Sequence, residues 1–175
     1  IGDGDKISIP QGIFGFPDLH DFCLIDLGDD TLILWLQSLS DPNVAFALLE
    51  PKIFKPDYAV RLSAAELREL KLENVNQSAV LSILTIPSEV TQMTANLKAP
   101  LVINLKEQLA KQVILQENEY DIKHEMFQDL RRHLITIGSQ RRPEGPTTGN
   151  SEKREGVVIS IGSIPPSLTV KSLRV

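Results

Sequence analysis

The side chains best suited to covalent, metal or acid–base chemistry are three histidines, one cysteine and a pair of adjacent aspartates in a chain of 175 residues. A zinc or other transition-metal site needs His or Cys ligands at close, repeated spacing. His20, His124 and His133 lie far apart in sequence and lack that spacing, so each reads as a surface or loop histidine. Cys23 falls inside the apolar run from Phe22 to Leu27, where a thiol acts as a small buried hydrophobe rather than a nucleophile. As the single cysteine it has no internal disulfide partner, which fits a reducing compartment. Asp29 and Asp30 follow Gly28 in a turn, where solvation accounts for them. There is no Gly-x-Ser-x-Gly elbow and no phosphate loop. Catalytic groups can still converge from distant strands, but nothing in the sequence calls for them.

Recognition chemistry is better represented. Thr94, Asn96 and Lys98 offer hydroxyl, amide and ammonium groups just before Pro100 and the apolar run Leu101-Val102-Ile103. Pro100 has no backbone N–H and drives Ala99 towards an extended conformation. The expectation is a polar loop fixed at the mouth of a core strand. A second such stretch is Gln11-Gly12-Ile13-Phe14-Gly15-Phe16-Pro17, a loop shaped by glycine and proline that carries two aromatic rings. Buried, Phe14 and Phe16 plug one end of the core, which is the favoured reading; exposed, they form a contact patch.

The elements that position these loops are short strands. Ile7 to Ile9, Phe22 to Leu27, Thr31 to Ser38, Val44 to Leu49, Ala79 to Ile86, Leu101 to Ile103 and Ala110 to Gln116 read as strands, and Tyr58 to Leu62 as extended. Residues 63–72 form the clearest helix, of roughly three turns, with Ser63 and Glu66 as a capping box and Leu62 and Leu67 as its hydrophobic staple. This helix is expected across one opening of a sheet or barrel. Met126, Leu130 and Leu134 recur every fourth residue and predict an amphipathic helix from Lys123 onwards. Residues 139–156 hold no large apolar residue and read as a linker, followed by strand-like runs Val157 to Ile161 and Leu168 to Val175. The domain division is therefore 1–138 for the folded domain, 139–156 for the linker and 157–175 for a C-terminal extension. Short strands with turn signals every 8–12 residues or so predict a mainly β, small antiparallel barrel-like domain with one or two short helices.

Composition narrows the function. A hydrophobic content of 42% marks an ordinary globular chain, no apolar run reaches the roughly 20 residues of a membrane span, and no secretory-signal pattern is present. The net charge of −5 argues against direct nucleic-acid binding. Residues 1–50 hold nine acidic residues against Lys6 alone, a distribution that attracts a basic partner or supplies turn and surface aspartates. The residues alone leave three readings open: an interaction protein, a barrel that binds a small ligand inside, and a hydrolase with an unrecognised site.

Five stretches in order carry a family resemblance: Gln11-Gly12-Ile13-Phe14-Gly15-Phe16, Trp35-Leu36-Gln37-Ser38, Pro56-Asp57-Tyr58, Thr94 to Pro100, and Lys111-Gln112-Val113-Ile114-Leu115. Over about residues 6–126 the sequence resembles the flagellar assembly factor FliW family. The resemblance implies a small, mostly β, non-catalytic cytoplasmic protein with no cofactor. Its implied partners are flagellin, bound through its C-terminal region before export, and the RNA-binding translational repressor CsrA. Exchange of these two on one protein would couple flagellin synthesis to secretion, without nucleic-acid or membrane contact by the protein itself. On that footing Gln37, Asn96 and Lys98 are expected as polar edges of the contact surface, with Phe14, Phe16 or Leu97 as apolar contacts. Members of the family usually begin with a further strand and end soon after the stretch matching Tyr120 to Met126. The segment Leu168 to Val175 resembles that first strand loosely, and two readings stay open: it fills that edge slot, or it is a rearranged or added segment.

Overall fold

A computed structural model describes residues 5–28, 32–116, 119–129 and 131. The expectations placed on Asp29, Asp30, His133, the linker and the C-terminal extension lie outside these residues. Among the described residues nine strands form: β1 (Asp5–Ser8), β2 (Asp21–Ile25), β3 (Leu34–Ser38), β4 (Ala45–Leu49), β5 (Ala79–Thr85), β6 (Thr94–Ala95), β7 (Leu101–Asn104), β8 (Leu109–Gln112) and β9 (His124–Glu125). Seven of them close into a barrel in the order β4-β3-β2-β1-β8-β7-β5, with β5 returning to β4 through Leu48↔Ile83 and Leu49↔Ser82. Every pairing is antiparallel except one seam, where β1 meets β8 in parallel at Ser8↔Leu109.

Side-chain alternation sorts the apolar residues onto two faces. Ile7, Phe22, Leu36, Phe46, Leu48, Leu81, Leu101, Ile103 and Ala110 form one buried cluster drawn from all seven barrel strands, so it fills the interior. The alternate positions Trp35, Ala47, Leu49 and Val102 point outward and are also buried. They are covered by Phe54, Tyr58, Leu70, Leu72, Met93, Tyr120, Met126 and Phe127 from the connecting segments. The 42% hydrophobic content thus supplies two layers, one inside the barrel and one wrapped outside it.

The helix α1 (Ala64–Glu69) is shorter than its sequence signals imply, but its capping box is present. The Glu66 N–H donates to Ser63 Oγ at 3.1 Å and the Ser63 N–H donates to Glu66 Oε2 at 2.8 Å. The helix does not lie across a barrel opening. The outward-facing Asn104 donates its amide to the Leu70 carbonyl at 2.9 Å, and Lys111 on β8 pairs with Glu69, so α1 sits against the outer wall. Sequence periodicity also misplaces the helix expected from Lys123. His124 and Glu125 pair with Ala95 and Thr94 as β9, and the helical turn begins only at Phe127. The stretch from Thr94 to Pro100, expected as loop throughout, accordingly opens with the two-residue strand β6.

Candidate partner-binding surface

Strand direction decides which loops share an end of the barrel. β1 and β8 run towards one end, and β2 returns from it, as do β4 and β7. The β1–β2 loop, the β3–β4 turn and the segment entering β7 therefore sit together. That end carries all six residues expected to form the contact surface: Phe14, Phe16, Gln37, Asn96, Leu97 and Lys98.

The β1–β2 loop is a small built structure. Ile13 and Phe16 form an isolated antiparallel bridge, with the Phe16 N–H donating to Ile13 O at 2.6 Å. Gly12 makes it feasible: its φ is +68°, and a Cβ there would sit 2.6 Å from the Phe16 carbonyl oxygen. The bridge sends the two aromatic rings opposite ways. Phe16 is half-buried and meets Phe46 edge-on, ring centroids 5.3 Å apart at 79°, closing the interior core as a plug. Phe14, at the tip, is 57% exposed, so the expectation that both rings plug the core holds for Phe16 alone.

The stretch before β7 is tied down at almost every residue. The Asn96 N–H donates to Ile83 O, the Leu97 N–H to Asp121 O, and the Lys98 carbonyl accepts from Leu115. Asn96 Oδ1 accepts from the Ala99 N–H at 3.0 Å, which shapes the turn into Pro100. Leu97 is 1% exposed and belongs to the outer core layer, so its side chain is a packing residue and not an apolar surface contact; this corrects the expectation for that residue. Asn96 and Lys98 are half-exposed.

Gln37 points outward from β3. Its amide nitrogen donates to Ser38 O and Val44 O, both at 3.0 Å, and so staples the β3–β4 turn. The residue is half-exposed. Two aspartates of the acidic front half have the local turn role: Asp26 and Asp41 each accept a backbone N–H two residues on, from Gly28 and Asn43.

Sequence reasoning missed three residues at this end. Leu39 in the β3–β4 turn is 54% exposed, and Ile114 is 50% exposed beyond the end of β8. Ile114 sits in a Val-Ile-Leu run that reads as uniformly buried, and only its position past the barrel rim exposes it. The third is Gln112, 9% exposed, which accepts from the Phe14 N–H and donates to the Ala99 carbonyl. Phe14, Leu39 and Ile114 give this end three exposed apolar side chains; among the described residues Leu32 and Leu105 are exposed in the connections at the other end, and Ile122, 64% exposed, in the segment before β9.

The described residues show a filled barrel. A cleft of about 180 Å³ lies on the outer wall near the parallel seam, lined by Pro10, Gln11, Glu69, Leu70 and Leu109 to Lys111. Among the described residues no three His, Cys, Asp or Glu side chains converge as metal ligands. His124 is half-buried rather than a plain surface residue: its ring stacks on Phe54 at 5.8 Å, with Nε2 3.6 Å from Asp129. No helix among these residues is long and apolar enough to cross a membrane.

Comparison with known proteins agrees with the architecture. The family model described as FliW protein matches residues 1–126. The chain is 40% identical to the flagellar assembly factor FliW of Thermoanaerobacter pseudethanolicus over 128 residues, covering 73% of this chain and 85% of that protein. It is 39% identical over 131 residues to the flagellar assembly factor FliW of Bdellovibrio bacteriovorus, covering 75% of each. A crystal structure of the flagellar assembly factor FliW superimposes with a TM-score of 0.66 at 37% identity, covering 73% of this chain and 89% of that one. The chain belongs to the FliW family of flagellar assembly factors.

Proposed function

We propose that this protein is a cytoplasmic flagellar assembly factor that works by holding one protein or another, with no catalytic step and no cofactor. Its partners in this reading are flagellin, bound through the C-terminal region before export, and the translational repressor CsrA. While flagellin is scarce the protein holds CsrA off the flagellin message. Accumulated flagellin then takes its place and releases the repressor.

The observation that supports this reading is the gathering of exposed Phe14, Leu39 and Ile114 with the polar groups of Gln37, Asn96 and Lys98 at one end of a filled barrel. A ligand-binding barrel needs a polar-lined internal cavity; here side chains from all seven strands occupy the interior. An amphipathic helical segment of flagellin needs apolar contacts with polar edges, and this end supplies both. Phe14 is the apolar contact this proposal favours, with Phe16 supporting it from below.

The experiment is a pull-down with flagellin and CsrA, followed by titration of flagellin into the preformed complex with CsrA. The expected result is capture of each partner and release of CsrA as flagellin is added. Folded Asn96→Ala and Lys98→Glu variants should bind flagellin more weakly. Normal binding by both removes these residues from the site, and failure to capture either partner overturns the function.

A further inference from the structure

Gln112 is the last residue of β8 and faces the barrel interior, paired with Leu101. Its side chain is 9% exposed and reaches two loops that are remote from each other in sequence. Oε1 accepts from the Phe14 N–H at 2.9 Å, and Nε2 donates to the Ala99 carbonyl at 3.1 Å. The two contacts fix the amide orientation, because the flipped group would set an N–H against an N–H and an oxygen against an oxygen. Ala99 is itself held by Asn96 Oδ1. One carboxamide therefore stands between the exposed ring of Phe14 and the polar group of Asn96.

We propose that Gln112 is a positioning residue that locks the Phe14 loop to the Asn96–Pro100 turn, so that a partner meets the two as one rigid surface. The inference rests on the reading of this end as the docking surface for its ligand consequence, but the lock itself is a property of the free protein. A buried amide with both hydrogen-bonding sides engaged resists separation of the loops, since parting them leaves polar groups unpaired. Preorganisation of this kind removes an ordering cost from binding.

Amide hydrogen exchange of the free protein, followed residue by residue, tests the lock. Gln112→Met keeps the length and removes both hydrogen bonds. The expected result is exchange faster by on the order of fivefold or more at the Ala99 N–H, whose own acceptor is Asn96 and not Gln112. The amides of Trp35 and Ala47 in the barrel wall should be unchanged. Gln112→Leu removes both hydrogen bonds without introducing a charge, carries the same expectation, and serves if Gln112→Met does not fold. Faster exchange at Phe14 with no change at Ala99 overturns the lock, as does equal acceleration throughout the barrel. Flagellin binding is measured separately. Weakening by about tenfold in Gln112→Met, with Phe14→Ala and Asn96→Ala effects non-additive in the wild type and additive in that background, supports the shared surface. Unchanged flagellin binding in Phe14→Ala and Asn96→Ala alike removes the docking surface while leaving the exchange result to stand on its own.

Discussion

The hydroxyl of Tyr58 donates to the backbone carbonyl of Leu97 across 2.7 Å in a buried setting. The Tyr58 ring lies 4.6 Å from that of Tyr120, whose own hydroxyl accepts from the Ala59 N–H. The segment that crosses the outer wall is thus fastened to the stretch entering β7. Tyr58→Phe preserves the packing and leaves the Leu97 carbonyl without its donor. The expected loss is about 1–3 kcal/mol of unfolding free energy, read from urea denaturation. A variant as stable as the wild type would mean that the hydrogen bond is replaced by solvent.

Two glycines with the same backbone twist should respond differently to alanine. Gly12 has φ +68° and Gly28 +67°, so each substitution carries about 1–2 kcal/mol of left-handed strain. A Cβ at Gly28 meets nothing within 4 Å, whereas one at Gly12 meets the Phe16 carbonyl at 2.6 Å and Pro17 at 2.8 Å. Gly12→Ala should therefore cost about 3 kcal/mol or more and displace the Phe14 loop, while Gly28→Ala costs only the strain. Thermal unfolding of the pair checks this, and equal losses would refute the crowding at Gly12.

The strand content was legible because alternating or continuous apolar runs recur between turn residues. The cap of α1 was legible because Ser63 and Glu66 act within one turn of chain. What depended on distant partners was not. Thr94 and Ala95 have no strand signal of their own and become β6 by pairing with β5 and β9. His124 and Glu125 lie at the start of a fourfold apolar repeat that favours helix, and the same pairing overrides it. Closure of the barrel by β4 and β5 joins residues over thirty positions apart, which no local pattern records. At the candidate surface, residue types pointed to the right loops but not to which side chains face out. Leu97 and Ile114 are both aliphatic in short apolar settings; packing in the outer core layer buries the first and the barrel rim exposes the second.

Ser82 lies on the outer face of β5 beside Leu49, fully buried beneath the covering layer, and its hydroxyl has no hydrogen-bond partner among the described residues. An unpaired buried hydroxyl carries a desolvation cost of about 1–3 kcal/mol. Ser82→Ala removes the oxygen and leaves a small void. The expected net effect is a gain of about 1 kcal/mol, seen as a rise of a few degrees in Tm. A clear fall in Tm would show that the hydroxyl is paired in solution.

Phe14 and Phe16 lie two residues apart and should separate binding from stability. Phe16 packs edge-on against Phe46 and closes the barrel interior, so Phe16→Ala should cost about 2–3 kcal/mol, less than a fully buried phenylalanine because the ring is half-buried. Phe14 is 57% exposed and held in place through its backbone N–H rather than its ring. Phe14→Ser keeps that hydrogen bond and should leave the unfolding free energy within about 0.5 kcal/mol of the wild type. The same substitution should weaken flagellin capture by on the order of tenfold, because an aromatic ring standing clear of its own core is the kind of side chain that anchors an interface. Unfolding curves and a flagellin titration on the two variants give the comparison. The assignment of roles fails if Phe14→Ser lowers stability as much as Phe16→Ala, or if it binds flagellin as the wild type does.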